Sequence, residues 1–289
     1  MKIPSSTWAA VGVLAATWAI PAVAEPPDAR RRADMRQKHD ASVREHAQEL
    51  MQQLARDKDP EVRAHAATVL GKIKVVDAIP VLTTAVADGD PGVRAAAAGA
   101  LWRLAPESRG AVPALEKALG DATPLVRLNA AGALNALDAG TPSKMAAVLG
   151  PLLSDADLAK SAAEVLVSTD LENADVRRYV LEGLTRGEGD VRKAIVLGMA
   201  DARLSSEAAL PYVPRLAEAI RADKAVEVRV GAVRVAQEIR PLPKELAAAL
   251  DAALKDESTE VREAATQALS LASGDAQQRA LEEALRKRH

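Results

Sequence analysis

The sequence predicts an all-α fold, an α-solenoid of about seven antiparallel helix pairs with a capping helix at its C-terminal end. Three observations predict it. A unit of about 33 residues recurs along the chain, each copy pairs a helix-starting signal with an apolar stripe at helical spacing, and the composition disfavours sheets. There is no Phe, only three Trp and two Tyr, and abundant Ala. Aromatic and β-branched side chains build sheets, whereas Ala and Leu favour helices and let them approach closely. At 289 residues the chain is long for one core and ordinary for a stack that lengthens by adding units.

The first segment reads as a targeting signal. Met1-Lys2 gives a positive start, Trp8 to Ile20 is apolar and uncharged, and Pro21 is followed by Ala22-Val23-Ala24, a small-x-small cleavage site. Residues 1–24 are therefore expected to be a signal peptide cut before Glu25, which makes the chain periplasmic or secreted. The apolar run is short for a span of about 20 residues. No Cys follows it, which excludes a lipoprotein, and no membrane contact is expected after cleavage. Residues 25–39 read as a linker, because Glu25-Pro26-Pro27 opposes a helix interior and Arg30-Arg31-Arg32, Arg36 and Lys38 repel one another.

The repeats fill residues 40–289. Asp57-Lys-Asp59-Pro60-Glu-Val62-Arg63 leads into Ala66-Ala67 and Leu70, and the same order recurs from Asp88 to Leu101 and from Asp121 to Leu134. Further copies contain Val191-Arg192, Val228-Arg229 and Val261-Arg262, and a degraded one puts Leu158 in the Val place without an Arg. The Val places are spaced by 31, 33, 32, 33, 37 and 33 residues. Asp59 and Asp90 can cap a helix whose first residue is Pro60 or Pro91, where no N–H is needed. Thr123-Pro124 repeats the arrangement, and Ser258 caps the last copy. Val62, Ala66, Leu70 and Ile73 then share one helix face. Between these helices lie Ala41–Arg56, Asp77–Ala87, Ala111–Leu119, Asp175–Arg186, Glu207–Arg221 and Lys244–Leu254, and Asp275–Arg286 is expected to close the open end. The long step predicts an irregular connection around Leu204 to Glu207.

The element Asp-x-Asp-Pro-x-Val-Arg-x-x-Ala-Ala-x-x-Leu resembles the second helix of a HEAT repeat, in particular the short kind found in phycobilisome-lyase-type proteins. Ala78-Ile-Pro80-Val-Leu82 and Ala111-Val-Pro113-Ala-Leu115 resemble the first helix of that armadillo-like fold. The resemblance implies that two charged columns bridge neighbouring repeats. They are Asp57, Asp88, Asp121, Asp223 and Asp256, with Arg63, Arg94, Arg127, Arg192, Arg229 and Arg262. Exposure is expected to hold each such pair near about 0–1 kcal/mol.

Chemistry finds little purchase. Without Cys there is no disulfide, thiolate ligand or cysteine nucleophile. His39, His46, His65 and His289 have no zinc-ligand spacing, and no His-Glu step supports the di-iron chemistry of some HEAT-like enzymes. Serine-hydrolase and phosphate-loop motifs are absent. No cofactor or metal is expected, and a net charge of −2 argues against nucleic acid.

The resemblance further implies that second helices line a concave face. Counting from each Val, places +2, +3, +6 and +10 should face outward, and these together with the neighbouring +9 place supply the candidate binding residues: His65, Lys72, Trp102, Arg103, Asn129, Asn135 and Arg234. The expected function is that of a non-enzymatic binding or scaffold protein of the cell envelope that takes a protein partner on this face. The alternatives are a bilin-lyase-like enzyme or chaperone subunit and, with less support, a nucleic-acid-binding relative.

Overall fold

The structure is a computed structural model that describes residues 44–286, with side chains placed as far as Gly274. The expected signal peptide (1–24) and linker (25–39) lie outside the described residues. The chain divides into two units, Met1–His46 and Ala47–His289, and the helical array from Ala47 onward belongs to the second. No strand occurs among the described residues.

Seven helix pairs follow one another. The first joins α1 (44–56) to α2 (Pro60–Lys72), the second α3 (Ile79–Ala85) to α4 (Pro91–Arg103), and the third α5 (Val112–Ala118) to α6 (Pro124–Ala136). The fourth is α7 (Pro142–Leu149) with α8 (Ala159–Val167), and the fifth α9 (Ala174–Arg186) with α10 (Gly189–Ala202). In the sixth a short α11 (Ser206–Ala209) leads into α12 (Val213–Ala222) and α13 (Val226–Glu238). The seventh pairs α14 (Lys244–Ala253) with α15 (Thr259–Arg286).

Several first helices are shorter than the sequence predicts, and one residue type explains why. Pro80, Pro113 and Pro214 each stand second in their helix and have no N–H to offer the carbonyl four residues back. The preceding residue takes that carbonyl instead, so Ile79 N donates to Val76 O, Val112 N to Arg109 O and Val213 N to Leu210 O. A 3₁₀ turn therefore opens each of these helices. The expected single helix from Glu207 to Arg221 divides for the same reason, and the irregular connection before it turns on Arg203 at φ 46°.

Two further expectations change. The closing segment from Asp275 is not a separate helix, because α15 runs unbroken for 28 residues with no Pro to stop it. Ile73 does not join the buried stripe. It lies one residue beyond α2, where the chain turns toward Lys74 at φ 55°, and its side chain is 46% exposed.

The core runs between the two helices of each pair and between successive second helices. The fourth, fifth and eighth places after the Val are buried as Ala66, Ala67 and Leu70, as Ala97, Ala98 and Leu101, and as Ala130, Ala131 and Leu134. Each fully buried Leu contributes about 1.5–3 kcal/mol and each Ala much less. The fifth pair substitutes the bulkier Ile195, Val196 and Met199. At Gly71 the backbones of α2 and α4 approach closely, since a Cβ there would stand 2.6 Å from Ala100 Cα.

Candidate functional site

The charged columns form a ladder with a specific joint. In the column Asp, one oxygen accepts the amide two residues on, as in Asp88 Oδ1 with Asp90 N at 2.9 Å and Asp121 Oδ1 with Thr123 N at 2.9 Å. The same carboxylate receives the Arg of the preceding repeat. Arg63 donates Nε to Asp88 Oδ2 at 2.9 Å and Nη2 to Oδ1 at 2.8 Å, and Arg94 grips Asp121 at 2.7 and 3.0 Å. Arg192 grips Asp223 in the same way at 2.6 and 3.0 Å. Each Arg also turns Nη1 onto its own turn, as Arg94 does to Asp88 O at 3.0 Å. Arg229 departs from the pattern: only Nη2 reaches Asp256 (2.8 Å), and its buried Nε has no partner.

The pairs are more sheltered than the sequence suggested. Arg94 and Asp121 are 17% and 13% exposed, because the next repeat's turn covers the guanidinium. The Arg63 hydrogen bond holds the Asp88 carboxyl below its ordinary range, and Arg94 does the same to Asp121. At Asp223 and Asp256 burial is the largest influence and pushes upward, but the Arg192 and Arg229 hydrogen bonds, the Ala225 and Ser258 amides and the nearby guanidinium charges together outweigh it and hold both carboxyls below their ordinary range.

The ladder is interrupted around the fourth pair. Buried Leu153 holds the Asp place there, so Arg127 bonds only its own turn at Asp121 O (2.8 Å) and Ala122 O (3.0 Å). Ala159 then replaces the Arg and Arg186 the next Asp. Other contacts join these repeats. Asn135 Nδ2 donates to Ser168 Oγ at 2.9 Å, Gly150 receives the Tyr179 ring, and Tyr212 Oη donates to Leu171 O at 2.8 Å.

Four of the seven candidate binding residues come together. His65, Trp102, Arg103 and Asn129 line an open hollow of about 800 Å³ that crosses the second helices of pairs one to four. Asn129 is held by its Nδ2 bond to Ala95 O at 2.9 Å, and Arg103 by Nη1 on Gly99 O at 2.9 Å. Trp102 packs against the next repeat as well as facing the hollow. A Cβ on Gly132 would stand 2.7 Å from the indole, so that glycine is what lets the ring lie on α6. Asn135 lines a smaller hollow of about 290 Å³ beside Ser168 and Thr169. Lys72 and Arg234 are exposed and line none of these hollows.

The +2 place does not face outward in the second and third copies. Ala95 and Leu128 are buried at 4% and 2% exposure, where adjacent second helices meet, and they floor the hollow. Leu125, Leu158 and Ser161 also line it and were not singled out from the sequence. Leu158 and Ser161 belong to the degraded copy, and Leu125 precedes the first place counted, although at 42% exposed it is a large apolar group facing solvent.

Among known proteins, the sequence pattern of HEAT repeats matches three overlapping stretches, 18–102, 47–135 and 84–168. No curated protein matches the sequence. An engineered protein of known structure is similar over 78% of this chain and 68% of its own, at 23% identity and a TM-score of 0.58. The E. coli protein YibA gives 79%, 82%, 22% and 0.58 for the same quantities. An archaeal HEAT-like repeats protein from Thermococcus onnurineus NA1 is similar over 79% of this chain and 97% of its own, at 17% identity and a TM-score of 0.54. At these identities the likeness concerns fold alone. Repeat spacing, paired helices and sequence pattern agree, and the chain belongs to the HEAT-repeat family.

Proposed function

We propose that this chain is a non-enzymatic binding or scaffold protein of the cell envelope, which holds a protein partner against its second helices. The hollow of about 800 Å³ supports this reading most directly. Four successive repeats contribute to it, so a partner lying there is gripped across several units at once. Its walls are small and apolar, with Trp102 as a large, partly buried anchor braced against Gly132. The titratable groups lining it are His65 and Arg103, and no carboxylate is among them, which offers no acid–base pair for catalysis. Delivery to the envelope follows from the N-terminal segment expected to act as a signal.

Affinity capture from the source envelope tests the proposal. The full chain should retain a defined partner. Ala96→Arg, which fills the hollow, and Trp102→Ala should abolish retention, while Lys117→Glu on the exposed part of α5 should leave it intact. Retention indifferent to both hollow variants would remove the hollow from the interaction.

A further inference from the structure

The +10 places of successive second helices form an exposed row: Lys72, Arg103, Ala136, Ser168, Asp201 and Glu238. Charge along the row passes from basic through neutral to acidic. Its basic end has a local explanation. Lys72 and Arg103 stand in the last turns of α2 and α4, where the helix dipole favours a cation. Its acidic end has none. Asp201 lies in the last turn of α10 and Glu238 ends α13, beside free carbonyls that a carboxylate opposes, and neither helix has a base in that turn. Among the described residues, Asp201 and Glu238 make no hydrogen bond or ion pair. Helix stability does not account for them.

Asp201 also rims a second hollow, of about 500 Å³, between α8 and α10. Its floor is apolar, made of Val167, Ala194, Leu197 and Gly198, and no Lys or Arg lines it. The floor is firm, because a Cβ on Gly198 would overlap Val167, so that side chain sits directly on the α10 backbone. Glu164 forms part of the same wall, and its contact with Lys160 is long (4.0 Å) and open to solvent.

We propose that this hollow and the charged row dock a protein segment carrying aliphatic and cationic side chains, in one direction only. Aliphatic groups fill the floor between Val167 and Leu197, while ammonium or guanidinium groups meet Glu164, Asp201 and Glu238. An acidic portion of the same segment meets Lys72 and Arg103. Complementary charge at both ends fixes the direction. The inference supplies the partner chemistry for the binding reading above and rests on it.

The test uses the full chain with Trp8 and Trp18 replaced by Phe, and a labelled synthetic peptide alternating Lys and Leu. That peptide should bind, and more weakly as salt rises. A Lys-Ser peptide should bind several-fold more weakly because nothing fills the floor. Glu164→Lys with Asp201→Lys, both at exposed positions, should not lower the melting temperature, should weaken the Lys-Leu peptide by about tenfold and should admit its Glu-Leu counterpart. In a peptide with one Glu-rich and one Lys-rich end, a quencher on the Glu end should quench Trp102 and one on the Lys end should not. Equal affinity of the charge-reversed and original proteins for the Lys-Leu peptide would overturn the inference, as would quenching independent of label position. Partner capture lost in Ala96→Arg but indifferent to the charge reversal would overturn this inference alone and leave the binding reading standing.

Discussion

Gly71 sets two effects against each other. Alanine is the better helix former by about 0.8–1 kcal/mol, but a Cβ here would stand 2.6 Å from a backbone atom of α4. Backbone cannot step aside as a side-chain tip can, so the steric cost, about 1–3 kcal/mol, prevails. Gly71→Ala should therefore lower stability in urea titration. The ladder makes a second prediction. Lys has no fork to match the two Asp121 oxygens, so Arg94→Lys should cost about 1 kcal/mol despite keeping the charge. The carboxyls of Asp88, Asp121, Asp223 and Asp256 titrate lower folded than unfolded. Their contribution is whole above the unfolded value of about 3.9 and is lost as pH falls through the folded ones. Melting temperatures should drop below about pH 4, and less steeply in Asp121→Asn. Tyr212 moves the other way, since burial pushes its phenol up to about 12. That contribution is whole below the unfolded value of about 10 and fades as pH climbs toward the folded one. Tyr212→Phe should flatten this alkaline loss and cost about 1 kcal/mol at neutral pH by orphaning Leu171 O.

Among the second helices, α8 is the shortest. It has nine residues where α4 and α6 have thirteen, because Leu158 begins a helix that in other copies is already a turn long. Its entry is held by Asp155, whose Oδ1 accepts Asp157 N and Leu158 N at 3.0 Å each. Amides of 159–167 should exchange with solvent faster than those of 91–103, as hydrogen-exchange mass spectrometry can measure. The second helices were legible from sequence because the apolar stripe lies within each one, and the first three add a proline at the helix start, with an Asp cap at α2 and α4. Even the degraded copy kept its register, with Ala162, Ala163 and Leu166 buried where Leu158 predicts. The 3₁₀ openings were not read because a proline near a helix start is compatible with either geometry. The hollow was read in part. His65, Trp102, Arg103 and Asn129 follow from counting along a helix, whereas the burial of Ala95 and Leu128 depends on how closely neighbouring helices approach, which no single helix encodes.

Across the whole array, ladder rungs join pairs one to three and pairs five to seven, with none on either side of pair four. A repeat array is stabilised by contacts between neighbours, so an interrupted joint is where its cooperativity divides. Denaturation should follow more than one step. With Trp8 and Trp18 replaced by Phe, Trp102 fluorescence reports the first block, and far-ultraviolet circular dichroism reports all helices. The two curves should not coincide, and superimposable transitions would refute the division.

The paired duties of the column aspartate reach further than stability. The carboxylate that shapes its own turn is also the socket for the preceding unit's guanidinium, and the matching plug lies six residues later on the same loop and helix start. Every intact unit therefore carries both halves of its coupling. Such links can be duplicated or removed within a block without redesigning a junction, and the chain's length is free to drift there. At Leu153 and Arg186 the socket is missing, so insertions at those two junctions would need new contacts of their own.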